Sequence, residues 1–403
     1  MMERRDLMKS AGAALAAAML PLPVQAQSAL KPTGYLRTNW SRDPFAYGSY
    51  SYTAKGSSMR DRRRLAAPID DTLFFAGEAC HPKYNSTVHA AYESGIMAAE
   101  KLLKTDKQEI AVVGAGISGL AAAHALAMAG RLVTVYEARD RIGGRVWTND
   151  ALGTPLDLGA SWIHGTKNNP LTDLADSQGV ERAVTDESSV VRSGTGQKLR
   201  SSPSWMDDIG IQLSAGTEWS NLSLRAYLFQ SDYGGDEVIF PGGYAQIFPA
   251  LEADYSVKLG HELTAVVVDG GGVALTFGDI SARCDAAVLT LPLGVLKEGQ
   301  LSFEPPLPES KTKAIARLQM GVLDKLYLKF DEVFWDSEPS WLEFPETGLP
   351  RGQFNQWMNI YRYTGEPILV AFNGATPARD LAALTDDELV ARGLSVLQSA
   401  YPR

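Results

Sequence analysis

The sequence predicts an α/β protein of two domains. Its 403 residues exceed the usual length of one domain, and a content of 45% hydrophobic and 21% charged residues is ordinary for a globular chain with a buried core. Between residues 110 and 137, a strand, a glycine-rich turn, a helix and a second strand follow one another, which is typical of a parallel α/β sheet. This composition excludes a disordered, collagen-like or disulfide-stabilised protein.

The charge and the cysteine content narrow the classes of partner. The chain carries 38 Lys and Arg against 47 Asp and Glu, a net charge of −9. An acidic balance disfavours nucleic acid and anionic membranes as partners and is compatible with a cationic substrate. Cys80 and Cys284 are the only cysteines, too few for a disulfide framework or a structural zinc site. We therefore expect no metal site and no nucleic-acid partner, and the oligomeric state stays open.

Residues 1–26 have the pattern of a cleaved signal peptide of the twin-arginine type. Arg4 and Arg5 precede an apolar run, residues 11–24, that is too short to span a bilayer as a helix. Residues 24–26, VQA, resemble a small-residue cleavage site, so the mature chain would begin near Gln27. The pattern predicts export of the folded protein to a bacterial periplasm, without integral membrane association. An ordinary secretory signal or a retained anchor is the alternative.

The segment from Ile110 to Glu137 predicts a dinucleotide site. A buried strand over residues 110–113 leads into GAGISG, then into an alanine-rich helix and a second strand over residues 132–136. In this pattern Gly114 permits the tight turn, Gly116 lets the backbone approach a pyrophosphate, and Gly119 lets the helix pack closely on the strand. The helix N-terminus faces the phosphates, and Glu137 accepts hydrogen bonds from a ribose.

Two further small-residue segments follow this unit directly. Arg139 and the Gly143-Gly144-Arg145 turn come after the second strand, and Arg145 is suited to pair with a pyrophosphate. A second turn contains Gly159 and Ala160. These segments extend the predicted site, although the GxGxxG pattern alone does not separate FAD from NAD.

The segments VVGAGISGLAAAHAL, EARDRIGGRV and DLGASWIHG resemble the opening of the flavin-dependent amine oxidase family, which includes monoamine and polyamine oxidases. PGGY at residues 241–244 and TLPLGVLK at residues 290–297 extend the resemblance over most of the mature chain. It implies a Rossmann-like FAD-binding domain, residues 28–175 and 238–302, and an α+β substrate domain, residues 176–237 and 303–403.

The resemblance also implies how the FAD is held. Gly77 would let the backbone approach the ribityl phosphate, and Glu78 would bond the ribityl chain. Thr87 and Val88 would open a helix whose first amides face the flavin N1–O2 edge, where reduced flavin carries negative charge. Leu263 would contact the adenine. Some monoamine oxidases bind FAD through a cysteine thioether near GSY; this chain has Ser49 there, which predicts non-covalent FAD.

Three catalytic residues follow from the same resemblance. Lys325 corresponds to the family lysine that faces the flavin and assists proton movement during reoxidation by oxygen. His164 corresponds to a histidine of animal polyamine oxidases that positions or deprotonates the substrate amine. Tyr50 would form one wall of an aromatic substrate cage, and Thr87 occupies the other wall, which favours a roomy pocket. Trp335, Trp357 and Tyr361 fit core packing better than the pocket.

The order of the motifs differs from that of the family. The WSRDPF, GSY, FAGE and TVHAA segments close the chain in family members, but here they occupy residues 40–91, ahead of the GxGxxG. The sequence therefore predicts a circular permutation in which residues 101–109 link the former termini. An artefact of gene assembly is the rival explanation. The basic segment at residues 60–64 is interpreted as a solvated loop.

The predicted reaction is oxidation of a C–N bond of a polyamine or primary amine by FAD and O2, giving an imine and hydrogen peroxide. An L-amino-acid oxidase or a tryptophan 2-monooxygenase is the first alternative. It would require an arginine facing the substrate carboxylate, for which Arg192, Arg225 and Arg362 are candidates. A non-catalytic flavoprotein is the second alternative.

Overall fold

A computed structural model describes residues 30–228 and 231–402. The predicted signal peptide lies outside these residues. Within them, no helix combines the length and apolar character that crossing a bilayer requires. The described residues form strands and helices in an α/β arrangement around two main sheets.

The strands are short and are numbered here in chain order. They are β1 (Gly34–Arg37), β2 (Tyr50–Tyr52), β3 (Leu73–Phe75), β4 (Glu109–Val113), β5 (Leu132–Tyr136), β6 (Thr148–Asn149), β7 (Leu156–Asp157), β8 (Trp162–Ile163), β9 (Ala183–Val184), β10 (Ser189–Arg192), β11 (Lys198–Leu199), β12 (Val238–Ile239), β13 (Tyr255–Lys258), β14 (Ala265–Asp269), β15 (Gly272–Phe277), β16 (Ile280–Cys284), β17 (Ala286–Leu289), β18 (Ser302–Glu304), β19 (Gln319–Gly321), β20 (Leu323–Lys329), β21 (Trp341–Glu343), β22 (Gln356–Asn359) and β23 (Ile368–Gly374).

The α-helices are numbered in the same way. They are α1 (Met59–Leu65), α2 (Val88–Leu102), α3 (Ile117–Met128), α4 (Pro170–Ser177), α5 (Met206–Ala215), α6 (Leu224–Leu228), α7 (Leu293–Glu298), α8 (Glu309–Arg317), α9 (Tyr361–Thr364), α10 (Ala375–Leu381) and α11 (Asp386–Ala400). Short 3-10 helices lie at Trp40–Arg42, Glu78–Cys80, Trp219–Asn221 and Tyr244–Leu251.

The five-stranded sheet is parallel and contains the glycine-rich unit. Its order is β13-β5-β4-β17-β3, so the strand at residues 73–75 pairs with β17 at one edge. In β4, every residue from Ile110 to Val113 is buried, as the near-continuous apolar run of a parallel strand requires. The helices α2 and α3 pack on each other beside this sheet, and a Cβ added at Gly95 would lie 2.1 Å from the Ser118 carbonyl oxygen.

The seven-stranded sheet is mostly antiparallel, in the order β1-β20-β23-β22-β21-β10-β11. Its first strand, β1, comes from the segment assigned by sequence to the FAD domain, and it pairs with β20 near the other end of the chain. The division into two domains at the stated boundaries stays a prediction. The sheet presents β20, β21 and β23 toward the cavity described below.

The two ends of the described chain contact one hydrophobic cluster. Leu30 and Tyr401 both pack against the core formed by β20, β22, β23 and α11. The helix α11 begins with a capping box in which Thr385 and Glu388 satisfy each other's backbone amides, as the sequence pattern predicts. The first and last described segments therefore share one region of the fold.

The interpretation of residues 60–64 as a solvated loop is wrong. These residues belong to α1, and Arg62 is fully buried. Its guanidinium donates to the Ser51 and Thr53 hydroxyls at 2.8 and 3.2 Å. Burial lowers the pKa of Arg62 to about 10, and the negative charge of Glu78 opposes that shift. The run of charges concealed a helix with one inward-facing arginine, whose guanidinium is received by hydroxyl groups of the preceding strand segment.

Candidate active site

A cavity of about 1100 Å³ is lined by residues from both main sheets. It brings together residues that stand more than 270 positions apart in the sequence, such as Tyr50 and Lys325. Of the residues predicted to bind cofactor or substrate, those lining the cavity are Tyr50, Gly77, Glu78, Thr87, Val88, Gly114, Gly116, Glu137, Arg139, Gly144, Arg145, Gly159, Ala160, His164, Leu263 and Lys325.

The glycine turn between β4 and α3 has the geometry of a phosphate cradle. Gly114 has a φ of +106°, which favours glycine. A Cβ at Gly119 would lie 1.8 Å from the Gly114 carbonyl oxygen, so Gly119 acts by close packing rather than by lining the cavity. A Cβ at Gly116 would meet nothing nearer than 3.9 Å, and α3 begins there without a side-chain cap. The first amides of α3 are therefore available to an anion.

Glu137 follows β5 and is held beside this turn. Its carboxylate accepts the Ala115 amide at 2.7 Å and the Arg139 amide at 2.9 Å. Each carboxylate oxygen accepts more than one donor, so a ribose hydroxyl has an acceptor available on the cavity side. The backbone bonds fix the orientation of the carboxylate before any ligand arrives.

The helix α2 points its N-terminus into the same cavity. Thr87 caps it by accepting the Ala90 amide at 3.2 Å, and Thr87 and Val88 line the cavity. Ser86, just before the cap, has a φ of +65°, which is uncommon for a residue with a side chain. The positive end of this helix dipole is placed to stabilise negative charge on a ligand.

The two arginines that line the cavity, Arg139 and Arg145, each form an ion pair with a carboxylate. Arg139 contacts Asp43 at 2.6 Å, and Arg145 contacts Glu78 at 3.0 Å and donates to the Ser49 carbonyl at 3.1 Å. Each pair joins a residue of the first ninety positions to one beyond the GxGxxG turn. The paired charges fix the N-terminal segment against the five-stranded sheet.

Glu78 is the centre of a buried hydrogen-bond network. It accepts from the Ser51 amide and hydroxyl, from Arg145 and from the Ser86 amide. Burial raises the pKa of Glu78, but the guanidinium groups of Arg145 and Arg62 outweigh burial and the net pKa lies below the usual value. Glu78 is therefore ionised at neutral pH and holds the cavity wall at Gly77 in place.

Lys325 lies on β20 and is only 4% exposed. Its ammonium donates to the Asp157 carbonyl at 2.6 Å, the Gly159 carbonyl at 2.7 Å and the Ser161 hydroxyl at 2.6 Å. Burial lowers the pKa of Lys325 to about 8, and the buried Asp157 carboxylate opposes that shift. Lys325 is thus a cavity-lining amine that can gain or lose a proton near its pKa of about 8.

Three aromatic rings form a wall that the sequence did not predict. Trp162 stacks on Trp341 with ring centroids 6.2 Å apart, and both meet Phe372 at 5.9 and 5.8 Å. All three line the cavity, as does Tyr50, whose hydroxyl donates to the Leu213 carbonyl. Trp335 and Trp357 are instead buried in the core of the seven-stranded sheet, against which Tyr361 packs.

His164 stands where this aromatic wall meets the acidic residues of the cavity. Its Nδ1 lies 2.6 Å from a Glu237 oxygen, and its ring stacks on Trp162 with centroids 6.4 Å apart. The second Glu237 oxygen accepts the Gly165 amide at 3.0 Å. Glu237 therefore fixes the orientation of the imidazole, which is about half exposed.

The cavity is acidic beside the aromatic wall. Asp186, Glu187, Asp232 and Glu237 all line it. Within residues 30–228 and 231–402, the Arg and Lys side chains lining the cavity belong to Arg139, Arg145 and Lys325, each already bonded to protein acceptors.

The three arginines proposed as carboxylate partners lie elsewhere. Arg362 forms a two-point pair with Asp186, at 2.7 and 3.0 Å, and Arg192 pairs with Asp336 at 2.8 Å. Arg225 is on α6 and is not among the lining residues. The pairing with Arg362, together with the Ser188 and Ser340 hydroxyls, holds the pKa of Asp186 well below its usual range.

The residues at the other end of the cavity fit FAD. The glycine cradle at Gly114 and Gly116, two helix N-termini and Glu137 provide groups for a pyrophosphate and a ribose. Leu263, the predicted adenine contact, and Lys325, the predicted flavin neighbour, both line this cavity of about 1100 Å³. Neither cysteine lines the cavity, and both are buried as free thiols.

Comparison with known proteins agrees with this geometry. The sequence pattern of the flavin-containing amine oxidoreductase family matches residues 6–103, 117–208 and 211–403. Polyamine oxidase 4 of Oryza sativa subsp. japonica is 30% identical over 357 residues, covering 73% of each chain. Probable polyamine oxidase 4 of Arabidopsis thaliana is 28% identical over 362 residues, covering 73% of this chain and 71% of that protein.

Two solved structures share the fold. Cyclohexylamine oxidase from Brevibacterium oxydans superposes with a TM-score of 0.57 at 23% identity, covering 73% of this chain and 81% of that chain. A wild-type putrescine oxidase bound to putrescine gives a TM-score of 0.54 at 23% identity, covering 73% and 81%. The family match, the relatives and the cavity agree: the chain belongs to the flavin-containing amine oxidoreductase family and is an FAD-dependent enzyme that oxidises amines.

Proposed function

We propose that the substrate is a polyamine or a primary amine. The observation that carries this proposal is the excess of acidic groups at the end of the cavity beside the aromatic wall, where Glu187, Asp232 and Glu237 line it in addition to the Asp186 that Arg362 already pairs. An ammonium group is attracted to such a rim, and its neutral form is the one that gives up a hydride. The 30% identity to a rice polyamine oxidase supports the same substrate class.

Each residue of the cavity has a distinct part in this reaction. FAD, when bound, supplies the acceptor for the hydride and passes the electrons to O2. His164, oriented by Glu237, is placed to position the amine or to take its proton. The rings of Trp162, Trp341 and Phe372 enclose the apolar part of the substrate and exclude water.

An amino-acid oxidase would require a cation for the substrate carboxylate. Arg362 is already paired with Asp186, and Arg192 with Asp336. A carboxylate at this end would face acids rather than a free arginine, which disfavours an amino acid and tryptophan 2-monooxygenase activity.

The test is a comparison of substrates on the purified, FAD-loaded protein. Spermidine, putrescine and a monoamine are each mixed anaerobically with the enzyme, and bleaching of the flavin absorbance is followed alongside peroxide formation in air. We expect bleaching and peroxide with at least one amine and neither with tryptophan. Bleaching by tryptophan alone would favour the amino-acid oxidase, and a yellow protein that no amine bleaches would favour a non-catalytic flavoprotein.

We propose that the FAD is held non-covalently. Ser49 occupies the position of the attachment cysteine in the resemblance, and its hydroxyl donates to the Leu323 carbonyl at 2.9 Å. Acid precipitation of the loaded protein should leave the flavin in the supernatant. Flavin that stays with the precipitated protein would contradict this proposal.

We propose that the chain is a circular permutation of the family order. The family pattern matches residues 6–103 as a segment of its own, and the two plant relatives each cover 73% of this chain rather than all of it. β3 pairs with β17 in the same sheet as β4. Only a short connection separates the end of α2 at Leu102 from the start of β4 at Glu109. In the family order, the segment that contains Leu30 would follow the segment that contains Tyr401, so the two should lie close together. Both residues contact the same hydrophobic cluster.

A reordered chain tests the permutation. In this chain, residues 108–402 come first and a short glycine-serine linker joins them to residues 30–107. We expect this chain to bind FAD and to oxidise the same amines as the natural order. A reordered chain that is insoluble or binds no FAD, while the natural order binds it, would overturn the proposal.

We propose that the protein is exported folded to the periplasm by residues 1–26. The paired Arg4 and Arg5 ahead of a short apolar run support a twin-arginine signal. In a bacterial host, fractionation should recover flavin-loaded protein from the periplasm, and the Arg4→Lys/Arg5→Lys variant should stay in the cytoplasm. Unchanged export of that variant would contradict the twin-arginine route.

A further inference from the structure

The three acceptors around the Lys325 ammonium are of two kinds. Two are the backbone carbonyls of Asp157 and Gly159, which accept hydrogen bonds but do not pass protons on. The third is the Ser161 hydroxyl, at 2.6 Å, which is both an acceptor and a donor. A proton that leaves the ammonium therefore has one protein group through which it can continue.

The other polar groups near Lys325 are already committed. The Asp157 carboxylate accepts the Thr148 hydroxyl at 2.6 Å and the Tyr244 amide at 3.0 Å. The Tyr327 hydroxyl donates to the Asp157 carbonyl at 2.9 Å. Asp157 and Tyr327 are the titratable groups that face the ammonium, and neither side chain bonds to it in the described structure.

Ser161 connects this buried group to the cavity. Its side chain is half-buried, and it lines the cavity together with Lys325. Its hydroxyl donates to the Asp157 carbonyl at 3.4 Å, a weak contact, and also interacts with the Tyr327 hydroxyl. Rotation about the Ser161 C–O bond turns the hydrogen from these groups toward the cavity. The two residues thus form a chain of two links, from the buried amine to the cavity.

We propose that Ser161 is the proton-relay residue through which Lys325 supplies a proton to oxygen during its reduction to hydrogen peroxide. The proposal rests on the proposed amine oxidase function and names a residue that this function had not used. Ser161 acts through Lys325, whereas His164, which stacks on Trp162, acts on the substrate.

The step balances without a further reactant. Oxidation of the amine removes a hydride, which is two electrons and one proton, and O2 takes up these together with one further proton, which the relay supplies. In the relay, the Ser161 O–H bond breaks as its proton passes to the reduced dioxygen, and an Nζ–H proton of Lys325 passes to the Ser161 oxygen. Lys325 becomes a neutral amine, and it recovers the proton that the substrate ammonium releases before oxidation.

Stopped-flow kinetics of the FAD-loaded protein test the relay. The flavin is reduced anaerobically with dithionite, which makes the test independent of the substrate, and is then mixed with O2. We expect Ser161→Ala to slow reoxidation by about 10-fold or more, and Ser161→Thr, which keeps the hydroxyl, to restore at least about half of the rate. Reoxidation of Ser161→Ala at the wild-type rate, or an equal loss in Ser161→Thr, would overturn the proposal.

A double variant separates the relay from a general loss of structure. If Ser161 acts through Lys325, Ser161→Ala/Lys325→Met reoxidises no more slowly than Lys325→Met alone, because the two residues form one path. Additive losses would overturn the relay. If no amine reduces the wild-type flavin while this coupling is found, the proposed substrate fails and the relay stands.

The apoprotein gives a readout that needs no flavin. Acetylation of Lys325 is followed against pH by mass spectrometry, since only the neutral amine reacts. Loss of the hydroxyl removes an acceptor of the charged form, so Ser161→Ala should acetylate Lys325 at lower pH than wild type, and Ser161→Thr should match wild type. Identical pH curves for Ser161→Ala and wild type would contradict the contact on which the relay depends.

Discussion

Two buried lysines, Lys325 and Lys311, differ in what surrounds them rather than in their charge. Burial lowers the pKa of each to about 8. Each donates to three protein acceptors, and each lies over a phenylalanine ring, Lys325 at 5.7 Å from the Phe372 centroid and Lys311 at 3.7 Å from the Phe75 centroid. A shifted pKa therefore does not by itself mark a catalytic lysine in this protein.

The acceptors separate the two sites. Lys311 donates only to carbonyls, those of Arg64, Leu65 and Ala67 at 3.2, 2.6 and 2.7 Å, at the C-terminal end of α1. It caps that helix end and does not line the cavity. Lys325 has a hydroxyl among its acceptors and does line the cavity. Access and a proton-passing neighbour distinguish the lysine that we propose to be catalytic from the structural one.

The largest expected effect separates the two lysines by activity. Lys325→Met should reduce the rate of peroxide formation by about 100-fold, the scale of one general acid–base group. Lys311→Met, the matched control, should leave that rate within about two-fold of wild type, because its ammonium lies outside the cavity, between the end of α1 and the Phe75 ring. Equal losses in the two variants, measured as kcat at saturating amine, would remove the distinction.

The next prediction concerns stability, for which Lys311 has the expected role. Lys311→Met leaves the carbonyls at the end of α1 without their donor, so the free energy of unfolding should fall by about 1–3 kcal/mol. Urea denaturation followed by circular dichroism measures the loss, with retained FAD absorbance as the control for correct folding. Unchanged stability would show that water replaces the ammonium at this helix end.

A smaller effect depends on pH. Lys311 has a folded-state pKa of about 8, below its value of about 10.4 in an unfolded chain, so the unfolded state binds more protons between these values. Stability of the wild type should therefore rise from pH 8 to pH 10 relative to Lys311→Met, which does not titrate there. Urea midpoints of both proteins at the two pH values test this, and a constant difference would contradict it.

The smallest expected effect concerns Asp157, the buried carboxylate beside Lys325. The Asp157 carboxylate favours the charged form of Lys325, so Asp157→Asn should move the pH dependence of flavin reoxidation to lower pH by about one unit or less. Asparagine keeps acceptors for the Thr148 hydroxyl and the Tyr244 amide. A shift to higher pH would mean that burial of Lys325 had changed instead.

The sequence predicted the parts of the site that local pattern determines. The strand, turn and helix around Gly114 follow from glycine spacing and an apolar run, and α2 begins at Thr87 because the side chain caps it. The carboxyl ends of parallel strands meet at one edge, which explains why Gly77 and Gly114 face one cavity although they lie on different strands.

The sequence could not predict the parts that depend on distant pairing. Trp341 and Phe372 reach Trp162 only because β21, β22 and β23 are neighbours in the seven-stranded sheet. Arg62 appeared solvated because its acceptors, Ser51 and Thr53, belong to a separate segment. Contacts between residues far apart follow from topology, which hydrophobic periodicity does not encode.

The pairing of β1 with β20 sets the timing of folding. Thr33, just ahead of β1, donates to the carbonyl of Lys329, a residue 296 positions further along the chain. β1 therefore has no partner for its backbone groups until residues 323–329 have been synthesised. The seven-stranded sheet can therefore gain β1 as its edge strand only after a segment almost 300 residues further along the chain has been made.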